Sequence, residues 1–264
     1  MKKAFICTLC AVILLTGCTF SEKKDKTEPA EQTKIHNDAE KTERTGKTEK
    51  APEEITGLEN KVIVIDAGHC IFSQSRQEEI APGSGITKPA FVSGTSGANQ
   101  TEEQLNLSVA LRLQAVLEKM GAKVYMTRTT HESDMSNIDR AQFANELNAD
   151  ISVKIHADGS GNTSISGVSV LVPGTKYISD NALIEKSRKA GELVLNEIAS
   201  VTGANNRGIS VRDDMTGFNW STVPVILVEM GFMTNPQEDK LMETAEYQDK
   251  IVTGIVNGLK MYFE

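Results

Sequence analysis

The chain has 264 residues, 39% of them hydrophobic, 24% charged and 5% aromatic, with a formal net charge of −8. That length and apolar content allow a real core, in one large domain or two small ones. The acidic balance argues against a nucleic-acid binder, which needs cations to neutralise phosphates. Four cysteines are too few for a disulfide-dense scaffold at this length.

Met1-Lys2-Lys3 is a short basic start, followed by an apolar run from Ala4 to Leu15. The run is too short to span a bilayer and has the flanks of a secretory signal. Leu15-Thr16-Gly17-Cys18 resembles the lipobox of bacterial lipoproteins, which implies that Cys18 becomes the lipidated first residue of an exported, membrane-anchored chain. A plain signal peptide cut at a nearby small residue is the alternative. Cys7 and Cys10 fall inside the expected signal (residues 1–18), so Cys70 is left as a free thiol with no partner for an intrachain disulfide.

Residues 19–57 are expected to form a disordered spacer. Between Ser21 and Gly57, 18 of 37 residues are charged, five are hydrophobic and none is aromatic. Such a segment buries too little apolar surface to offset its ordering entropy. Its charges nearly cancel, so the whole −8 belongs to residues 58–264, read as one domain.

In that domain strands and helices alternate. Val62-Ile63-Val64-Ile65 reads as a strand buried on both faces, ending at Asp66-Ala67-Gly68-His69. Residues 70–100, rich in Gly, Ser and Pro, read as one long loop. Thr101-Glu102-Glu103-Gln104 is a capping box opening a helix through Leu105, Val109, Leu113 and Leu117, with Gly121 as the stop. A strand over 123–128, a helix over 136–147 and a strand from Ile151 ending at His156 follow. After a short Gly/Ser connection, the strand over 168–172 is expected to run antiparallel to its predecessor, since the connection cannot hold a helix. A long helix over about 179–201, a strand over 225–228 ending at Glu229 and a final helix over about 247–262 complete a three-layer α/β sandwich with a mostly parallel sheet.

Ligand sites in such sheets lie beyond the carboxyl ends of the strands. His69, His156 and Glu229 are expected there, and the start of the helix at 102 reaches the same rim. Two His and one Glu with an open fourth position form a catalytic zinc set, and a further carboxylate can serve the water. Each residue also has an ordinary role available: a hydrogen-bonded strand-end His, or a dipole-compensating Glu in a first helical turn. Spacing alone leaves both readings open. His36 and His131 fit the ordinary role, in the spacer and in a polar loop.

Val64-Ile65-Asp66-Ala67-Gly68-His69, Thr101-Glu102 with Leu105-Asn106-Leu107, and Thr127-Arg128 resemble segments of the zinc-dependent N-acetylmuramoyl-L-alanine amidases. So do Arg140 with Ala144-Asn145, the stretch from Ala149 through His156-Ala157, and Val228-Glu229-Met230-Gly231-Phe232-Met233-Thr234-Asn235. The match runs in order from Lys61 to Phe263. It implies His69, Glu102 and His156 as zinc ligands and Glu229 as the catalytic carboxylate, with Glu103 as the alternative to Glu102. Cys70 replaces a Gly common in the family, either as a soft ligand or, as favoured here, to fill space. Thr234 stands where Ser is frequent.

The resemblance further implies hydrolysis of the amide between N-acetylmuramic acid and L-alanine in peptidoglycan. Arg207, Met215 and Asn219, just before the Glu229 strand, are expected to line the cleft. The 157–166 connection lacks the length of a plugging helix, so no protein activator is expected to be required. Two rivals remain at this level: a zinc peptidase cutting within the stem peptide, and a non-catalytic lipid-anchored wall-binding protein.

Overall fold

A computed structural model describes residues 57–264; the expected signal, Cys18 and the spacer as far as residue 56 lie outside the described residues. The domain is organised by a period of two. In strand β1 (Val62–Ala67), Ile63, Ile65 and Ala67 enter the main apolar core, whereas Val64 joins a second cluster with Ala144. Successive side chains on a strand point to opposite faces. Strand β5 (Ile151–Asp158) does the same: Ile151, Val153, Ile155 and Ala157 share the main core, which leaves Ser152, Lys154, His156 and Asp158 on the opposite face. In β8 (Val225–Phe232), Ile226, Val228 and Met230 face the core, and Leu227 and Glu229 lie on the other side.

Six strands form one sheet in the order β4-β1-β5-β8-β6-β7, where β4 is Lys123–Met126, β6 Val168–Pro173 and β7 Asn206–Arg212. The pairs β4-β1, β1-β5 and β5-β8 are parallel. Strand β6 lies antiparallel to β8, and β7 parallel to β6. The reversal expected at 168–172 is therefore present, although β8 separates β6 from β5. Residue for residue, the register aligns His156, Glu229 and Ser169 across the middle of the sheet.

Helices α1 (Glu102–Lys119), α3 (Asn181–Thr202) and α6 (Ala245–Phe263) supply the core face, through residues such as Leu105, Leu113, Val194, Ile198, Ile255 and Leu259. On the other face lie α2 (Asn137–Glu146) and the short α4 (Thr216–Asn219), whose Ala144 and Phe218 pack on Val64 and on Leu171, Val225 and Leu227. These two elements cover only part of the face, including Ser152 and Lys154, and the uncovered part carries His156, Asp158 and Glu229.

Several elements differ from the sequence expectation. The 70–100 stretch contains a two-stranded hairpin, β2 (Gln77–Glu79) and β3 (Thr87–Pro89). Strands β5 and β8 run past His156 and Glu229 to Asp158 and Phe232, so both residues sit within strands rather than at their ends. Edge strand β7 and α5 (Pro236–Met242) are additional. No helix among the described residues is long and apolar enough to cross a membrane.

Candidate metal centre and catalytic cleft

His69 follows β1 in a left-handed conformation, φ 56°, which a non-glycine residue adopts only when its surroundings hold it there. Two buried arginines do so. Arg128 donates to the carbonyls of Ala67 (2.8 Å) and Gly68 (2.9 Å), and Arg140 to those of Ala67 (2.9 Å) and His69 (3.2 Å). The His69 Nδ1 lies 2.9 Å from the Val92 carbonyl. A proton donated there leaves the Nε2 lone pair for another partner. Gly68 has no room for a side chain: a Cβ would stand 2.3 Å from the His156 ring.

Glu102 opens α1, where Gln104 reaches back to accept the Thr101 N–H at 3.0 Å in the expected capping box. Its Oε1 is 3.0 Å from His69 Nε2 and 3.0 Å from His156 Nδ1. Thr95 N–H donates to Oε2 at 2.9 Å, and the buried Asn106 donates to Oε1 at 3.3 Å. The 70–100 segment thus ends against the triad. At Gly94 a Cβ would lie 2.5 Å from Glu102 Oε2, and φ is +78°. Burial would raise the Glu102 carboxyl pKa, but the bonds from His156 and His69 outweigh it and hold the group well below the usual carboxylate range. Burial lowers the His156 pKa and favours its neutral, ligating form. Ligand atoms of His69, Glu102 and His156 all lie within 4.8 Å of one another. Two imidazole nitrogens and one ionised carboxylate converging on one point are a donor set suited to zinc.

Glu103 points elsewhere, with Oε2 3.0 Å from His131 Nδ1 and 3.8 Å from Arg128 Nη1. Cys70 is buried beside Ala90 and Phe91 and donates to the Ser133 carbonyl at 3.2 Å, which matches the space-filling role.

Glu229 faces the triad across a cleft of about 610 Å³, whose wall includes His69, Glu102, His156, Arg212 and Met215. Its Oε2 is buried and has no hydrogen-bond partner. Burial raises the Glu229 pKa well above the usual range, reinforced by the charges of Glu102 and Asp158. An unpaired carboxyl beside a donor triad is suited to moving a proton. Thr234 also borders the cleft and accepts the Ser160 N–H at 2.9 Å.

Of the three expected cleft residues, Met215 lines this wall and the other two lie outside it. Arg207 sits over the Phe232 ring at 5.2 Å and bonds the Ser166 carbonyl. Asn219 is buried and donates to the carbonyls of Ile80 and Asp213, tying the hairpin to α4. Arg212, the last residue of β7, is a charged cleft residue that sequence reasoning missed.

A family profile described as N-acetylmuramoyl-L-alanine amidase matches residues 63–261. The chain belongs to this family. It is 31% identical over 214 residues to the N-acetylmuramoyl-L-alanine amidase of Mycobacterium tuberculosis, covering 79% of this chain and 87% of that one. The crystal structure of the N-acetylmuramyl-L-alanine amidase from Mycobacterium smegmatis superposes with a TM-score of 0.71 at 28% identity, over 80% of this chain and 99% of that one. An N-acetylmuramoyl-L-alanine amidase from Clostridium difficile gives a TM-score of 0.63 at 28% identity, over 77% and 96%. The matched residues include every residue of the triad and all of the six-stranded sheet except Val62.

Proposed function

We propose that this amidase cuts peptidoglycan between the lactyl group of N-acetylmuramic acid and the L-alanine of the stem peptide, with one zinc ion held by His69, Glu102 and His156. The observation that carries this reading is the convergence of those three donors opposite an unpaired Glu229 in an open cleft. When bound, zinc supplies Lewis acidity that polarises an amide carbonyl and acidifies water. Glu229 takes the proton from the attacking water on its carboxylate and returns it to the departing amide nitrogen. Its surroundings support both halves of that task, since the raised pKa makes it a stronger base when ionised and keeps the proton within reach. Asn106, Val92 and Thr95 fix the orientations of the triad side chains.

Substitution separates the two roles. His69→Ala should lose zinc and activity together. Glu229→Gln should keep near-stoichiometric zinc while turnover falls by about 10²–10⁴-fold, the range for a general acid–base group. Loss of zinc and thermal stability together in Glu229→Gln would instead make Glu229 a fourth ligand of a closed structural site.

We further propose, from the lipobox-like Leu15-Thr16-Gly17-Cys18, that the enzyme is exported and anchored through a lipidated Cys18 with the spacer as tether. Cys18→Ala should move it from the membrane fraction to the soluble or unprocessed pool. Unchanged membrane association would rule out the lipid anchor. No activator protein is needed for basal activity on this account, which is supported by the turn-only 159–167 connection beside the cleft.

A further inference from the structure

A second cavity, of about 350 Å³, adjoins the cleft and shares His69, His156, Arg212 and Met215 with it. Four cations border this cavity, Lys88, Arg140, Lys154 and Arg212, against two carboxylates, Asp66 and Asp214. That excess of positive charge stands out in a domain that carries the whole −8 of the chain. Asp66 is fully engaged by Arg140, Lys154 and Thr127.

The other cations keep unused donors. Lys88, half-buried on β3, makes one hydrogen bond, to the Asp214 carbonyl at 3.1 Å. An ammonium carries three N–H donors, so two remain. Arg212 gives Nε and Nη2 to the Asp214 carboxylate at 2.8 and 2.7 Å, and its Nη1 makes no hydrogen bond among the described residues. The nearby Glu78 is spent on Asn137 and Ile138. Thr216 supplies an independent sign of a missing partner: it is 1% exposed, it lines the same cavity, and its hydroxyl has no hydrogen-bond partner. Buried polar atoms without partners are rare in folded proteins. Phe91, Phe218 and Leu227 give the cavity an apolar wall, which suits the aliphatic part of a peptide residue better than a bare inorganic anion.

We propose that Lys88, Arg212 and Thr216 form a subsite for a free carboxylate on the peptide side of the substrate, so that the enzyme prefers stems with an acidic second residue over amidated ones. The subsite rests on the amidase reading for its substrate class. Lys88 is brought to it by the β2–β3 hairpin, which would make that hairpin a specificity element.

The test compares two L-alanyl peptides that differ only in a free carboxylate or a carboxamide on the second residue. Calorimetric binding to the zinc-loaded protein measures one readout, and kcat/KM on the matching muramoyl peptides the other. The carboxylate form should be favoured by about tenfold or more in both, equivalent to about 1.4 kcal/mol. Lys88→Gln should bring both ratios close to one, mainly through KM, and Lys88→Arg should restore them; thermal melting checks that each variant folds. Equal binding of the two peptides by the unmodified protein would overturn the subsite, as would an unchanged ratio in Lys88→Gln. Selective binding without any cleavage would uphold the subsite and overturn the hydrolytic reading. Cleavage without selectivity would do the reverse.

Discussion

At Asp66 three buried charges meet within one residue of the β1 end. Asp66, Arg140 and Lys154 are 2%, 5% and 6% exposed, and Arg140 Nη1 lies 2.5 Å from Asp66 Oδ1 while Lys154 bonds Oδ2. Burial alone would raise the Asp66 pKa, but Lys154 and Arg140 outweigh it and hold the carboxyl well below its ordinary value. A folded pKa below the unfolded value of about 3.9 means that ionised Asp66 stabilises the fold fully above that pH. The contribution is lost as pH falls through the lower, folded value. Because Arg140 also holds the Ala67 and His69 carbonyls, the same carboxylate keeps the first imidazole in its left-handed position. Asp66→Asn should cost about 3–5 kcal/mol at neutral pH, since it leaves buried cations uncompensated. Urea unfolding from pH 2 to 7 should also show a shallower acid limb in the variant. An acid limb identical to that of the unmodified protein would contradict this assignment.

Among the elements, α3 and α6 form the layer behind the sheet, and glycines set how closely they cross. A Cβ at Gly258 would lie 2.4 Å from the Val194 Cα, and one at Gly254 2.5 Å from the Ile198 Cα. Backbone cannot yield as a side-chain tip does, so the helices must separate. Gly258→Ala should cost about 1–3 kcal/mol, or roughly 2–4 °C in Tm for each kcal/mol. Zinc content should stay unchanged, because neither glycine nor the residues it meets belong to the triad or line its cleft; zinc loss at full occupancy of the folded state would contradict that separation. Long helices such as α1, α3 and α6 were legible because their apolar stripes repeat over several turns. Strand β7 was not, because an edge strand with only Ile209 and Val211 as apolar residues carries a weak pattern, and Val211 is 54% exposed. The β2–β3 hairpin was hidden by its length of three residues per strand and by docking bonds from Trp220 and Asn219, some 140 positions away. His69 and Glu102 stand at the strand end and helix start expected for them, His156 and Glu229 lie inside β5 and β8, and it is the family resemblance rather than spacing that singles out all four. Lys88 and Arg212 were not legible, since long-range docking alone brings them to one cavity.

Over the whole molecule, one sheet face is given to packing and the other carries His156 and Glu229, with Glu102 reaching the site from the first turn of α1. The core face is closed by three long helices, while α2 and α4 leave the His156 and Glu229 side of the other face open to a polymer. Residues 1–57 carry equal numbers of acidic and basic side chains, so the acidity belongs to residues 58–264. Family membership gives the bond that is broken, and the exposed cleft, the donor triad and the free carboxyl give what its cleavage depends on. Mass spectrometry of purified peptidoglycan digested with the protein alone, with chelator, and with chelator followed by zinc tests this most directly. The account predicts peptides beginning with free L-alanine and peptide-free glycan, lost under chelation and restored by zinc. Fragments cut inside the stem peptide, or a digest that chelation leaves unchanged, would contradict it.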